Sequence, residues 1–261
     1  MNFDCYIINL DRDHERWNDV SERFRTLGFN VIRVPAIDGK TLQFPHPDFA
    51  AWRYFFYYGR PVMPGEIGCY FSYIKTLKTF LSTNESHCLI CEDDVKPATE
   101  LPTILDEAMK YSDLWDLLRL NAIRPTSGVK VVELTSGYYL SSDLKTASGN
   151  GCALTSRPAA KQILAKLLPM RLPLDVALFY SFPIGIREMT VQPFPVALNE
   201  KFCKDTTIIG RKQRYPILHP ASLRHIISLP YRICSRTTRK ISRLYWGLQN
   251  YFTPPRPKKI E

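Results

Sequence analysis

The stretch that decides the fold is Cys88-Leu89-Ile90-Cys91-Glu92-Asp93-Asp94, an apolar run that ends in three acids. A short apolar run followed by a polar cluster predicts a buried strand that ends at the edge of a sheet. Ligands of open α/β sheets bind beyond such carboxyl ends of strands. We therefore expect a binding site here, with a chance run of three acids as the alternative.

Three adjacent carboxylates repel one another unless a cation or a proton neutralises them. Oxygen ligands suit Mg²⁺ or Mn²⁺, which bind through one or two carboxylates together with the phosphates of a substrate. The acidic stretch thus favours a site for a divalent metal and a diphosphate.

A second strand end lies near the start of the chain. Residues 3–10 form an apolar strand, and a helix follows in which apolar residues recur at spacings of three and four. Gly28 suits the left-handed position after that helix, and residues 30–36 read as the next strand. This strand–helix–strand order predicts a parallel sheet.

The first strand end carries four charged or polar residues, Asn9, Asp11, Arg12 and Arg16. Arg12 and Arg16 are four residues apart, so both can lie on one face of the first helical turn. Together with the free N–H groups there, they can hold the phosphates of a nucleotide. A solvated, charged helix start is the alternative interpretation.

Further elements follow from the same patterns. Residues 41–64 are rich in Pro, His and aromatic residues, and we expect an irregular loop that is a lid, an acceptor wall or a packing segment. Helices are predicted from Pro64 to Leu81, near 100–111 and after the capping residue Ser156. Strands are predicted at 114–120, 129–134, 137–140 and 152–155, with a small-residue loop at 141–151.

Composition places the chain among globular proteins. With 261 residues, 45% of them hydrophobic, it can form one large α/β domain, with or without an appendage. The seven cysteines are scattered and fit a reducing compartment. Alternation along a strand puts Cys88 and Cys91 on opposite faces, which disfavours a zinc or redox site.

Targeting signals are not evident in the sequence. The first residues have no positively charged region, and no apolar run reaches the roughly 18 residues that span a bilayer. We therefore expect a cytoplasmic protein.

Positive charge is concentrated at the C-terminal end. Residues 201–261 hold 14 Lys or Arg against two acids, while residues 1–200 are nearly neutral. In residues 222–252 the basic residues alternate with aromatic and aliphatic ones, a pattern that can bind nucleic acid, lie on an anionic membrane or form a solvated extension.

Five blocks in order resemble glycosyltransferase family 25, which includes bacterial lipopolysaccharide and lipooligosaccharide galactosyltransferases and is related to the collagen galactosyltransferases. The blocks are residues 7–12 with Arg16 and 33–39, residues 65–72, residues 89–95, residues 149–156 with Ala159 and Ala160, and residues 205–208. They span about residues 4–210. The family often has a histidine where this chain has Tyr73.

The resemblance implies a GT-A-like fold. We expect an α/β catalytic domain at residues 1–215, with a mixed, mainly parallel central sheet flanked by helices. A basic, partly helical extension would occupy residues 216–261. A nucleotide-sugar donor, usually UDP-linked, and a divalent metal, Mn²⁺ or Mg²⁺, are implied as well.

Residue roles follow from the resemblance together with the strand ends. Asp94 is expected as a direct metal ligand, and Glu92 as a ligand or as a holder of metal-bound water. Asp93 meets the ribose of the donor or orients the turn. Asp38 is a candidate for the nucleotide hydroxyls.

Two further donor-binding candidates are Glu66 and Asn150. Glu66 can bind sugar hydroxyls or simply favour the start of a helix as an acid in its first turn. Asn150 belongs to the fourth block. His219 or His225 can supply a late metal ligand, although lone histidines near prolines usually do not.

The acceptor hydroxyl needs a general base if the reaction inverts the anomeric centre, as the resemblance implies. Asp175 lies amid apolar neighbours in residues 172–176. It is our candidate for the base, and a helix N-cap after Pro173 is the simpler interpretation.

We therefore expect an inverting, metal-dependent enzyme that moves a hexose from a UDP-sugar to an oligosaccharide or lipid-linked saccharide. The resemblance implies galactose, the sugar that the family commonly transfers. The acceptor would belong to lipopolysaccharide or lipooligosaccharide synthesis, with the protein peripheral at the inner face of the bacterial inner membrane. For such an enzyme, binding to the cytoplasmic leaflet explains the basic C-terminal segment better than nucleic acid does, so nucleic acid is not expected as a partner. An inactive relative that binds glycans or acts as a scaffold, and a nucleic-acid-binding protein, are the alternatives.

Overall fold

The structure is a computed structural model that describes residues 3–123, 127–143, 149–178, 184–202 and 226–252. The strands are β1 (Cys5–Asn9), β2 (Val31–Pro35), β3 (His87–Glu92), β4 (Val95–Pro97), β5 (Leu117–Arg119), β6 (Gly128–Glu133), β7 (Tyr139–Asp143), β8 (Cys152–Ser156), β9 (Glu188–Gln192) and β10 (Val196–Leu198). The helices are α1 (His14–Thr26), α2 (Ala51–Tyr58), α3 (Pro64–Leu81), α4 (Leu101–Met109), α5 (Arg157–Leu167), α6 (Leu174–Leu178) and α7 (Leu229–Phe252), with a 3₁₀ turn at Thr135–Gly137.

Eight of these strands form one sheet in the order β2-β1-β3-β8-β5-β9-β7-β6, and β10 pairs with β4 in a second, small sheet. β1 pairs in parallel with both β2 and β3. The predicted strand–helix–strand opening is therefore confirmed. Gly28, after α1, has the expected positive φ of +84°.

The prediction of a mainly parallel sheet is wrong. Among the described strands of the large sheet, only β1–β2, β1–β3 and β5–β9 pair in parallel, and the other four adjacent pairs are antiparallel. One cause is local: the short turn at Thr135–Gly137 joins β6 directly to β7, and a short connection can only join antiparallel strands.

Helices cover both faces of the large sheet, as an α/β fold requires. One hydrophobic cluster lies under α3, α5 and α6, and the other lies under α1 and α4. Cys88 packs in the first cluster and Cys91 in the second. The prediction that these two cysteines point to opposite faces is confirmed.

Two segments differ from the sequence-based expectation. The stretch predicted to be irregular contains α2, which ends at Gly59 in the left-handed conformation (φ 71°). Its aromatic residues have modest helix propensity, but Tyr54 is only 2% exposed, so tertiary packing outweighs propensity here. The strand predicted at 137–140 is β7, which runs on into the expected small-residue loop.

The C-terminal helix α7 packs against α2, β6 and β7. The predicted boundary between residues 215 and 216 lies outside the described residues, so the domain division stays a prediction. Among the helices that the structure describes, none combines the length and the apolarity that a membrane crossing requires.

Candidate active site

The candidate site lies where β1 and β3 end side by side. The register pairs Ile8 with Glu92, so the residues that follow each strand meet at one edge of the sheet. Asn9 Nδ2 donates to Asp93 Oδ2 at 2.8 Å. The two strand ends that the sequence singled out are therefore in direct contact.

Asn9 fixes this junction. The residue is 1% exposed, and Nδ2 also donates to the carbonyl oxygen of Asp13 at 3.0 Å. Its Oδ1 accepts from Arg33 Nη2 at 2.8 Å and from Arg33 Nε at 3.1 Å. With its amide engaged on both sides, Asn9 ties β1 to the acidic turn and has little capacity left for a ligand.

Arg33 was missed as a site residue. Besides Asn9, its Nη2 pairs with Asp11 Oδ1 at 2.9 Å, and the Asp11 side chain is 76% exposed. Asp11 therefore lies at the open rim of the site. The sequence showed Arg33 only as part of a family block, because nothing local indicates that it reaches across from β2 to β1.

Arg12 and Arg16 contact different residues of the site. Arg12 precedes α1, and its Nη1 pairs with Asp38 Oδ2 at 2.5 Å on an exposed part of the rim. The backbone N–H of Lys40, and then Arg12, hold the pKa of Asp38 below its usual value. The expectation that both arginines share the first helical turn is wrong, because the helix begins only at His14.

Arg16 instead faces the acidic turn. Its Nη1 lies 3.3 Å from Asp93 Oδ1, and its Nη2 donates to the carbonyl oxygen of Phe202 at 3.4 Å. The guanidinium also stacks over the Phe202 ring, 5.3 Å from the centroid. Phe202 was missed, since 186 positions separate it from Arg16 in the chain.

Glu92 is the last residue of β3. Burial raises the pKa of Glu92 to about 8, and the nearby charges of Asp94, Asp93 and Asp175 add to the effect. Its Oε1 accepts a weak hydrogen bond from Cys69 Sγ at 3.9 Å. The carboxyl thus holds a proton at neutral pH unless a cation takes the place of that proton.

Asp94 has a buried oxygen in need of a partner. Its Oδ1 is buried and has no hydrogen-bond partner among the described residues. Burial and then the charge of Asp93 raise the pKa of Asp94. The main chain is fixed, since the carbonyl oxygen of Asp94 accepts from the Asn199 N–H at 2.7 Å. Such an oxygen fits a metal ligand.

The residues present fit a metal ion that takes most of its ligands from water and substrate phosphates rather than from the protein. In the ranges described, no group of three His, Cys, Asp or Glu side chains is arranged to hold an ion. Glu92 and Asp94 provide two carboxylates, which is the protein share that Mg²⁺ or Mn²⁺ usually takes when substrate phosphates complete the shell. Asp93 is already engaged by Asn9 and Arg16, which supports its role in orienting the turn.

Asp175 lies close enough to the acidic turn for its charge to raise the pKa of Glu92. It is the second residue of α6, and its Oδ1 accepts from the Val176 N–H at 2.8 Å. The carbonyl of Pro173 accepts the first helical bond, from Ala177. Asp175 therefore lies inside the first turn of the helix, and the N-cap interpretation is wrong.

Glu66 links two helices through hydrogen bonds. It is 5% exposed, and its Oε2 accepts from Tyr54 Oη at 2.9 Å and from the Met63 N–H at 3.4 Å. These contacts join α2 to the start of α3. They support the helix-start interpretation rather than contact with a sugar.

Two glycines of the family blocks hold the rim of the site together. A Cβ at Gly39 would lie 1.8 Å from the Pro64 carbonyl oxygen, and a Cβ at Gly68 would lie 2.5 Å from the Ile37 carbonyl oxygen. Ser72 Oγ accepts from the Ile37 N–H at 2.8 Å in the same contact. The loop that carries Asp38 is thereby pressed directly onto α3.

Asn150 is 8% exposed, and its Oδ1 accepts from Arg119 Nη1 at 3.2 Å. Arg119 also donates to the Gly149 carbonyl oxygen at 2.7 Å. Its own side chain is fully buried and pairs with Glu188. Sequence reasoning missed Arg119, although a charged residue inside the apolar run of residues 117–120 was a usable signal.

The remaining predicted positions either lie in the core or fall outside the described residues. Tyr73 is 2% exposed, and burial raises its pKa to about 12, so this position belongs to the core. The fifth block, residues 205–208, and the candidate ligands His219 and His225 lie outside the described residues.

Known proteins share sequence similarity with this chain. Residues 3–144 match the family model described as "Glycosyltransferase family 25 (LPS biosynthesis protein)". A "Glycosyltransferase 25 family member" of Aedes aegypti is 31% identical over 126 residues, which cover 43% of this chain and 20% of that protein.

Vertebrate proteins match over a longer stretch. "Procollagen galactosyltransferase 1-A" of Xenopus laevis is 26% identical over 197 residues, 67% of this chain and 30% of that protein. "Procollagen galactosyltransferase 2" of Mus musculus is 28% identical over 193 residues, with the same coverage of 67% and 30%. The matches thus span less than a third of the length of these curated relatives.

Proposed function

The chain belongs to glycosyltransferase family 25. On that premise we propose that it transfers a hexose, namely galactose, from a UDP-sugar to a saccharide acceptor and inverts the configuration of the anomeric centre. Mn²⁺ or Mg²⁺ is the proposed cofactor. One observation carries the proposal: the partnerless, buried Oδ1 of Asp94 beside Glu92, whose pKa is raised to about 8. The names of the procollagen galactosyltransferases support galactose as the sugar.

Glu92 and Asp94 would hold the metal together with the diphosphate of the donor. A bound divalent metal neutralises the negative charge that builds up on the leaving diphosphate. Asn9 and Arg16 hold Asp93, and through it the acidic turn, in place before the donor arrives. The two carboxylates are thus positioned in advance, which lowers the cost of binding.

The rim of the site would bind the nucleoside. Asp11 and the Arg12–Asp38 pair are exposed there and can exchange their present contacts for hydroxyl or phosphate groups. Asn150 lies in the loop before β8, next to β3 in the sheet, and Arg119 fixes its orientation. Each of these residues keeps the donor role expected from the sequence as a proposal.

Asp175 is proposed as the general base. It would accept the proton of the acceptor hydroxyl while that oxygen forms a bond to the anomeric carbon and the diphosphate departs. The charge of Asp175 contributes to the raised pKa of Glu92, which supports this role. The acceptor must attack the anomeric carbon from which the metal-bound diphosphate departs.

The proposed acceptor is a lipopolysaccharide or lipooligosaccharide saccharide at the inner face of a bacterial inner membrane. The description of the matching family, which names lipopolysaccharide biosynthesis, supports this acceptor. The exposed surface of α7 supports the membrane location. Exposed apolar side chains lie along and just before this helix: Ile226, Ile227, Leu229, Ile233, Ile241, Leu244, Tyr245 and Leu248. An exposed apolar surface of this kind marks an interaction site.

The orientation of α7 agrees with a peripheral membrane helix. Its protein-facing side includes Ser242 and Arg243, at most 9% exposed, together with Tyr231, whereas Ile233, Ile241 and Leu244 are exposed. Arg236 and Lys240 are exposed basic residues on the same helix. An apolar face flanked by cations is the pattern of helices that lie in an anionic membrane interface.

A hydrolysis screen tests the donor. Purified protein is incubated with Mn²⁺ and UDP-galactose, UDP-glucose, UDP-N-acetylglucosamine or a GDP-sugar, and released nucleotide is measured with and without chelator. We expect chelator-sensitive release, fastest from UDP-galactose. Binding of UDP with Mn²⁺ but no turnover of any sugar would favour the inactive, glycan-binding alternative.

A further inference from the structure

A cavity of about 360 Å³ lies between α7 and the body of the domain. Its walls come from α2, α3, the end of α5 with the following loop, α6, Ile184 and α7. Tyr57 of α2 and Tyr231 of α7 stack at one wall, with ring centroids 4.0 Å apart and planes 10° apart. The volume is within the range of small-molecule sites.

The lining of this cavity is amphipathic. Its apolar part contains side chains of the large core cluster, Leu167, Leu172, Ala177 and Ile184. Tyr70 and the stacked tyrosines add aromatic surface. Ligand sites combine an apolar lining with a few placed polar groups in this way.

Three cations lie at the same cavity, Lys166, Arg171 and Arg239, and none of its described lining residues is acidic. The guanidinium of Arg171 is held by the carbonyl oxygens of Lys166, at 2.5 Å, and Pro169, at 3.3 Å. Positive charge beside apolar surface is complementary to a ligand with an apolar chain and an anionic head.

We propose that this cavity binds the lipid phosphate portion of a lipid-linked acceptor. The apolar chain would contact the core-facing wall and the tyrosines, and the phosphate would meet Lys166, Arg171 and Arg239. This inference rests on the proposed function in one respect only, that the bound lipid belongs to the acceptor. The affinity for a lipid phosphate stands independently of it.

The position of α6 links the cavity to the candidate base. Ala177 lines the cavity, and the candidate base Asp175 lies two residues earlier on the same helix. A lipid anchored in the cavity would therefore place its attached saccharide on the side of α6 that carries the candidate base. The outward face of α7 would lie on the same membrane from which that lipid comes.

Dodecyl phosphate is the probe, and calorimetry below its micelle concentration is the measurement. Dodecyl maltoside has the same chain without the charge, and inorganic phosphate has the charge without the chain. We expect saturable binding of dodecyl phosphate, with both comparison ligands at least about tenfold weaker. Equal binding of dodecyl maltoside would overturn the cationic part of the site.

Adjacent threonines of α7 provide a matched pair of variants. Both side chains are exposed, but only Thr238 is among the residues that line the cavity. Thr238→Trp should fill the cavity and weaken dodecyl phosphate binding by about tenfold or more, and Thr237→Trp should leave it unchanged. Equal loss in both, or loss in neither, would place the binding elsewhere, for example on the outward face.

A second pair guards against misfolding of the tryptophan variants. Lys166→Gln removes a cation at the cavity, and Lys161→Gln removes an exposed cation of the same helix that does not line it. Only the first should weaken binding; equal affinities would refute the role of Lys166. All titrations omit UDP-sugar and metal, so an inactive enzyme that binds dodecyl phosphate would reject the transferase proposal and keep the cavity.

Discussion

Arg243 Nη2 donates to Glu188 Oε2 at 2.6 Å, and this ion pair joins α7 to β9 in the large sheet. Glu188 Oε1 also accepts from Arg119 Nε. Burial alone would raise the pKa of Glu188, but the charges of Arg119 and Arg243 outweigh it and hold the pKa below its usual value. Since Arg119 also contacts Asn150, one line of polar contacts runs from α7 to the candidate donor loop.

Arg243→Ala should destabilise the protein by about 2–3 kcal/mol, because it removes charge-assisted hydrogen bonds to Glu188 and to the Asp143 carbonyl oxygen. Arg119 remains to compensate Glu188, so the loss stays below that of an unpaired buried charge. Urea unfolding measures it. Arg236→Ala, an exposed arginine of the same helix, should stay within about 0.5 kcal/mol of the parent; equal losses would contradict a specific anchor.

Asp94→Ala should abolish the joint binding of Mn²⁺ and UDP, because it removes the carboxylate whose Oδ1 lacks a partner. Isothermal calorimetry with Mn²⁺ and UDP together measures the uptake. Asp106→Asn, which neutralises an exposed acid on α4, serves as the control and should bind like the parent. Uptake by well-folded Asp94→Ala that equals the parent's would refute the metal site.

Glu92→Gln should reduce the pH dependence of stability in the metal-free protein. The folded pKa of Glu92 is about 8, and that of an unfolded Glu is about 4.3. The folded state therefore keeps a proton that the unfolded chain releases between these values. The stabilisation is complete below the lower pKa and is lost as the pH rises through the upper one.

Urea unfolding with chelator, at about pH 5 and about pH 8.5, measures this difference. The parent should lose on the order of a few kcal/mol between the two conditions, and Glu92→Gln should lose less. Glu100→Gln, at an exposed acid, should behave like the parent. A variant and parent with the same loss would mean that Glu92 does not titrate in this range.

Asp175→Asn should lower transfer to the acceptor by about 10²–10⁴-fold, the usual contribution of a general base. Binding of UDP with Mn²⁺ should change little, because Asp175 does not belong to the proposed metal pair. Initial rates with a saccharide acceptor, compared with calorimetry on the same sample, separate the two effects. Turnover within a few-fold of the parent would exclude Asp175 as the base.

Ile233→Gln with Ile241→Gln should weaken sedimentation with anionic vesicles by about tenfold, since two outward apolar side chains of α7 are lost. Binding should be strong at low salt and weak at high salt, because the cations of α7 contribute. Thr237→Gln, an exposed polar exchange on the same helix, is the control. Equal binding of the parent to neutral vesicles would argue against an electrostatic contribution.

The sequence predicted the site where local pattern sets the structure. The end of β3 and its acids could be located because an apolar run followed by polar residues has few other solutions in an α/β fold. The capping role of Ser156 was likewise local, and the structure confirms it, since Ser156 Oγ accepts from the Ala159 N–H at 3.3 Å.

Long-range contacts could not be predicted from the sequence. Arg16 meets Phe202 across 186 positions, and Arg119 meets Glu188 across 69. No periodicity in the sequence encodes which distant residue will face a given side chain. The parallel bias of the predicted sheet failed for the same reason, because the pairing of β3 with β8 depends on where a strand 60 residues later returns.

The contact of Gly39 with Gly68 restricts which sequences this rim can accept. An added methyl group at either position would strike main-chain atoms, at 1.8 Å and 2.5 Å respectively. Main chain cannot move aside as a flexible side chain can, so an exchange at one glycine has no compensating exchange at the other. In a library randomised at both positions, only the glycine pair should survive selection for folding.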